Sequence, residues 1–167
     1  MVDEQWMRSE VYQLAKSAAV LGRVNFKVSE DAPDRIQGIA RLGLLYTVEA
    51  SSRLLGELEP SEASVVIAHE IGHIKAGHLI WAIAFYFPEK LDICKESVHR
   101  KKCEQEHEAD QHAVDLIGNC EQVIQTLIRV EELDPSRSHK NHPPLEQRLN
   151  RLRQYCANKI ITSARHK

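Results

Sequence analysis

The sequence predicts an α+β fold in which a short antiparallel sheet packs on one apolar helix and a mostly helical C-terminal half follows. Three observations predict it. Between Val24 and Val48, apolar and polar residues alternate in short pieces, the period of a half-buried strand. Residues 59–80 hold a run that is apolar on nearly all sides and reads as a buried helix. Beyond residue 95 the spacing is helical, punctuated by Gly118-Asn119, by Asp134-Pro135-Ser136 and by Pro143-Pro144.

The chain has 167 residues, of which 43% are hydrophobic and 28% charged, which suits one domain over residues 1–167 with a core of its own. A net charge of −2 and a pI near 6.5, with the two signs interspersed, give no argument for nucleic acid or an anionic membrane surface as the main partner. Cys94, Cys103, Cys120 and Cys156 form no CxxC pair, so a thiol-reducing, cytoplasmic setting is expected. In an oxidising compartment Cys94 and Cys103 are the pair expected to bridge. The first 22 residues begin with acids and lack an uninterrupted apolar core, so they do not read as a signal peptide. Leu79–Phe87 is the most apolar run, but it falls well short of the roughly 20 residues of a spanning helix. A core segment beside the site is expected there, with a peripheral membrane or partner contact as the alternative because Trp81 and Tyr86 suit an interface.

Within residues 1–58, Trp6, Met7, Tyr12, Leu14, Ala15, Ala18 and Leu21 recur at near-helical spacing from Asp3 to Leu21, and Gly22 stops the helix. Val24, Phe26 and Val28 alternate as a strand that Asp31–Asp34 turns. Two further β pieces, Ile36–Ala40 and Leu44–Val48, flank Gly43, and Glu49–Leu58 reads as a short helix. Pro60-Ser61-Glu62 supplies a proline, a capping hydroxyl and a first-turn acid for the apolar helix of residues 59–80, which Gly77 ends. Residues 95–119 form a charged helix and Glu121–Leu133 another. After a polar loop over Ser136–Asn141, a last basic helix occupies residues 142–160.

The apolar helix carries His69-Glu70-Ile71-Gly72-His73. Residues four apart stand about 40° apart around a helix axis, so His69 and His73 project from one face as two imidazoles able to hold one zinc ion. Glu70 lies about 100° round from His69, on the flank of that face, where it can act as a general base without being a ligand. Unpaired imidazoles and a carboxylate among Val65, Val66, Ile67, Ala68, Ile71 and Ile74 would be costly to bury, and a metal gives them a partner.

A catalytic zinc usually takes a third protein ligand and leaves one position open. His78 stands about 180° from His69 if the helix continues, so a place behind a ligand or on the substrate side suits it better. Glu106 and Asp110 are the stronger candidates: four apart, they share a face with Ala113 and Ile117, and a charged pair on an inward stripe needs a partner. Glu108 points about 160° away from Glu106.

Three ordered pieces, His69–His73 extended through Gly77-His78, Glu106-His107-Glu108-Ala109-Asp110, and His142-Pro143-Pro144-Leu145-Glu146-Gln147-Arg148, make the chain resemble the gluzincin peptidases of the HtpX and CAAX prenyl protease type and their soluble minigluzincin relatives. The resemblance covers residues from about 60 to 153 and implies a small zincin-like domain. It implies that Glu106 is the third zinc ligand, that Asp110 supports the site from behind, that His142 faces the substrate near the developing oxyanion, and that Arg148 pairs with the acids. The chain departs from the HtpX pattern in lacking long transmembrane helices around the catalytic segment, and in carrying Cys103 where an arginine often precedes the ligand glutamate. A thiolate masking the zinc is conceivable at Cys103, but a buried apolar thiol is the simpler expectation.

The activity expected is zinc-dependent endopeptidase hydrolysis of a peptide or protein substrate, with one zinc ion and with Glu70 as the base. An extended substrate is expected to add to the sheet edge near Leu44–Val48. Two alternatives share the fold: a latent form plugged by the basic C-terminus through His166, and a catalytically silent, zinc-stabilised interaction module.

Overall fold

The computed structural model describes residues 3–29, 36–41, 45–79, 95–133 and 142–165. Helix α1 (Glu4–Ser17) starts where the Asp3 side chain accepts the Trp6 backbone N–H at 2.7 Å. Its inward stripe is Met7, Val11, Leu14 and Ala15. The helix closes at Ala18 rather than at Gly22, because Ala19 already takes a left-handed φ of 52°.

Strands β1 (Arg23–Ser29), β2 (Ile36–Arg41) and β3 (Leu45–Ser51) form one sheet in the order β1-β3-β2. The expected antiparallel sheet is therefore corrected to a mixed one: β3 runs parallel to β1 and antiparallel to β2. Alternating hydrophobicity marks a strand but does not choose its neighbours. β3, the central strand, is covered on both faces: Tyr46, Val48 and Ala50 are buried on one and Thr47 and Ser51 on the other. The strand also runs through Glu49 to Ser51, where a helix had been expected to begin. Helix α2 (Ser52–Glu57) starts only after Ser51 Oγ accepts the Leu54 N–H at 3.1 Å.

Helix α3 (Pro60–Lys75) lies at the centre, with α1 and β2 on one side. Pro60 takes its first turn, and Glu59 rather than Ser61 is the capping residue, its backbone N–H held by the Glu62 carboxylate at 2.8 Å. Val65, Ile67 and Ile71 are at most 2% exposed. Burying each contributes about 1.5–3 kcal/mol. Helix α4 (Lys95–Ile117) and helix α5 (Cys120–Leu133) also pack on α3, and helix α6 (Leu145–Arg165) packs on α4 and α5. Gly118 ends α4 at φ 74°, and the Asn119 side chain then accepts the Gln122 N–H to open α5. Leu149, Leu152 and Cys156 are the inward stripe of α6.

Cys120 and Cys156 form a disulfide across α5 and α6, with Cα atoms 6.2 Å apart. The two are separated by 36 residues and meet only because those helices pack together. The pair expected to bridge was Cys94 with Cys103; Cys103 is instead a free thiol, and the bond joins Cys120 to Cys156. Among the described residues no helix is long and apolar enough to cross a membrane. The turn at Asp31–Asp34, Gly43, residues 80–87 of the apolar run, Cys94, the loop over Ser136–Asn141 and His166 lie outside the described residues.

Candidate metal centre

The site forms where α3 crosses α4, and Gly72 makes the crossing close. A Cβ placed on Gly72 would stand 2.9 Å from His112 Cβ and 3.1 Å from the Ala109 carbonyl oxygen, so no larger residue fits without moving α4. Ala109 and Ala113 keep the facing surface of α4 low. Glu106, one turn before Ala109, is thereby brought over the two histidines.

His69 and His73 turn their Nε2 atoms toward each other at 3.1 Å. Glu106 Oε1 is 3.3 Å from His73 Nε2, and Oε2 is 3.5 Å from His69 Nε2. These three residues form a group able to hold a metal ion. The fit to zinc can be tested on the separations: two ligands about 2.0–2.1 Å from a tetrahedral ion sit about 3.3 Å apart, close to the distance between the two nitrogens and to that from each nitrogen to its nearer Glu106 oxygen. Two nitrogen lone pairs and a carboxylate converging on one point repel one another unless a proton or a cation sits between them. The donor set fits zinc. Glu70 is 7% exposed and precedes the crossing point on α3.

His69 is braced from the buried side. Its Nδ1 lies 2.9 Å from Asp110 Oδ1, and Arg148 binds both Asp110 oxygens, Nε to Oδ2 at 2.9 Å and a terminal nitrogen to Oδ1 at 2.6 Å. Burial pushes the Asp110 carboxyl up, but the Arg148 charge and the hydrogen bonds from His69 and Arg148 outweigh it and bring its pKa down to about 2. Burial likewise lowers His69. The hydrogen bonds and charges of Asp110 and Glu106 reverse that and raise the imidazole to about 9 in the metal-free chain. The Arg148 pKa is raised: burial opposes its charge, but Asp110 and then Glu106 favour it more strongly.

His142 stands just before α6, with its Nδ1 2.6 Å from Glu106 Oε2. The resemblance implied a residue facing substrate; the structure ties one ring nitrogen to the Glu106 carboxylate and leaves Nε2 as the other. Burial raises the Glu106 carboxyl, yet hydrogen bonds from His142, His69 and His73 hold it well below the usual carboxylate range. Beside His69 and Arg148 an apolar pocket opens between α3 and α5, lined by Val66, Val123, Leu127 and Val130.

His73 is braced from the other side by His78, which takes one of the two places the sequence analysis preferred for it, behind a ligand. Gly77 takes a φ of 74°, so α3 does not continue and His78 comes back toward His73 with their Nδ1 atoms 3.0 Å apart. His78 Nε2 is 3.0 Å from Glu108 Oε2. Burial first, and then the charge of His73, lower the His78 pKa against the opposing effect of Glu108. Cys103 contacts His99 Nε2 at 3.6 Å. Burial and then the Glu106 charge raise its thiol pKa, which disfavours the thiolate that masking a metal requires.

A model of the family described as Peptidase family M48 matches residues 2–95. That span holds His69, Glu70, His73 and His78 but stops before Glu106. No curated protein matches the sequence. Among solved structures, the crystal structure of S. mikatae Ste24p aligns with a TM-score of 0.67 at 16% sequence identity, over 91% of this chain and 50% of that one. At that identity the likeness is one of fold, and this chain spans half the length of that relative.

Proposed function

The chain belongs to peptidase family M48, and on that premise we propose that it is a zinc-dependent endopeptidase in which His69, His73 and Glu106 hold the metal. The observation that carries this reading is the convergence of two Nε2 atoms 3.1 Å apart on a carboxylate from a second helix. A zinc ion held there supplies Lewis-acid polarisation of the scissile carbonyl and acidifies the attacking water.

The remaining work falls to side chains. Glu70 takes a proton from the attacking water and returns it to the leaving amine. His142 donates its Nδ1–H to Glu106, and with a second proton on Nε2, as an imidazolium, it donates to the carbonyl oxygen as charge builds there. Asp110 accepts from His69 Nδ1 and so keeps the His69 Nε2 lone pair for the metal, while Arg148 balances the buried Asp110 charge. We take residues 1–167 as a single zincin-like domain, to which all these groups belong.

The place for an extended substrate has to move. Leu45–Val48 belong to β3, whose two edges are both paired, so no peptide can add there. β2 lies next to α3, and among the described residues its outer edge pairs with no strand. An extended substrate is therefore assigned to the β2 edge.

Glu70→Gln is the discriminating variant. It should lower peptide turnover by about 10²–10⁴-fold, the usual effect of removing a general base, while zinc content measured by metal analysis stays at the wild-type level. A Glu70→Gln protein that hydrolyses a peptide library as fast as wild type overturns the reading in favour of a silent zinc-stabilised module.

A further inference from the structure

His73 and His78 present their Nδ1 atoms to each other at 3.0 Å, with rings edge to face and centroids 5.1 Å apart. His78 is 6% exposed, while the Glu108 side chain bonded to its other nitrogen is 53% exposed. The chain of contacts thus runs from the metal centre to the surface: His73 Nδ1, His78 Nδ1, His78 Nε2, Glu108 Oε2.

Proton counting gives this chain one direction. An imidazole that gives its Nε2 lone pair to a metal carries its hydrogen on Nδ1 and needs an acceptor there. His73 Nε2 faces His69 and Glu106, so its Nδ1–H points at His78. One hydrogen fits between two ring nitrogens 3.0 Å apart, so His78 Nδ1 accepts. His78 is then a neutral ring whose Nε2–H donates to the Glu108 carboxylate. The interposed ring is needed because Glu108 stands about 160° from Glu106 around α4 and so points away from the metal side.

We propose that His78 and Glu108 are positioning residues of the metal centre: His78 accepts the His73 Nδ1–H and Glu108 anchors His78, which fixes the His73 tautomer and aims its Nε2 at the ion. This rests on the zinc reading above and extends it to two residues that touch neither ion nor substrate. Loss of such a support typically weakens metal affinity about 10–100-fold.

The test is zinc affinity by chelator competition, with the absorption bands of the cobalt-substituted protein as a second readout. Glu108→Ala and His78→Phe should each weaken zinc binding by about 10–100-fold and shift the cobalt bands. Glu108→Gln, which keeps an acceptor for His78 Nε2–H, should recover most of the loss. Glu104→Ala removes an exposed acid of the same helix that pairs with Lys101, and should leave both readouts unchanged. If Glu108→Ala binds zinc as wild type does, or if Glu104→Ala weakens it equally, the positioning role is overturned. Because Glu108 is a surface side chain, its variants report even if His78→Phe fails to fold. Wild-type protein that takes up no zinc would instead sink the zinc reading itself.

Discussion

The two histidine ligands differ in what stands behind them. His69 leans on a carboxylate that is 2% exposed and locked by a bidentate arginine, whereas His73 leans on a second imidazole whose own anchor lies at the surface. The first brace is part of the folded core: breaking it leaves a charge where water cannot reach. The second uses partners that water can replace at one end. The stability of the protein should therefore depend on the His69 side, and the quality of the metal site on both.

The largest expected effect comes from Arg148→Ala, which strips the buried Asp110 carboxylate of its counterion and should destabilise the protein by about 3–5 kcal/mol in urea unfolding. A value near zero would make the two braces equivalent and remove the contrast. Next is the acid limb. The Asp110 pKa lies at about 2, below its ordinary 3.8, so its contribution is fully present above that ordinary value and is lost as pH falls through about 2. The contribution is on the order of 2 kcal/mol, and stability curves of wild type and Asp110→Asn should converge on acidification. His69 gives the opposite sign. Raised from 6.5 to about 9 in the metal-free chain, it stabilises fully below 6.5 and loses that contribution as pH rises through about 9. Melting temperatures of metal-free protein should fall across that window, and added zinc should cancel the fall by displacing the proton. The smallest effect is that of Glu108→Ala on unfolding, within about 0.5 kcal/mol; a larger value would place Glu108 in the core's accounts rather than the metal's.

Much of this arrangement was legible in the sequence, and the reason differs by element. The apolar helix around His69 and the face shared by Glu106 and Asp110 follow from a period of 3.6, which angle arithmetic reads directly. The order of the strands was not legible: alternation identifies β1, β2 and β3 but is silent on which one needs neighbours on both edges. The place of His78 behind a ligand was legible, but its partner was not: a continuous helix sets it across the axis from His69, whereas the left-handed Gly77 turns it back toward His73. Glu108 does point away from Glu106, and the His78 ring spans the distance. The Cys120–Cys156 bond depends on how α5 packs on α6, which no local pattern encodes.

Gly72 has a consequence of a different kind. Where it faces the Ala109 backbone and His112 Cβ there is no room for a side chain of α3 to act as a spacer. Peptide units have fixed dimensions and no rotamers, so the gauge between the imidazole pair and the opposing carboxylate is set by the most rigid material a protein has. The bite of the site should then be insulated from drift elsewhere: conservative substitutions among distant interior residues can soften the molecule while the aperture between α3 and α4 keeps its width.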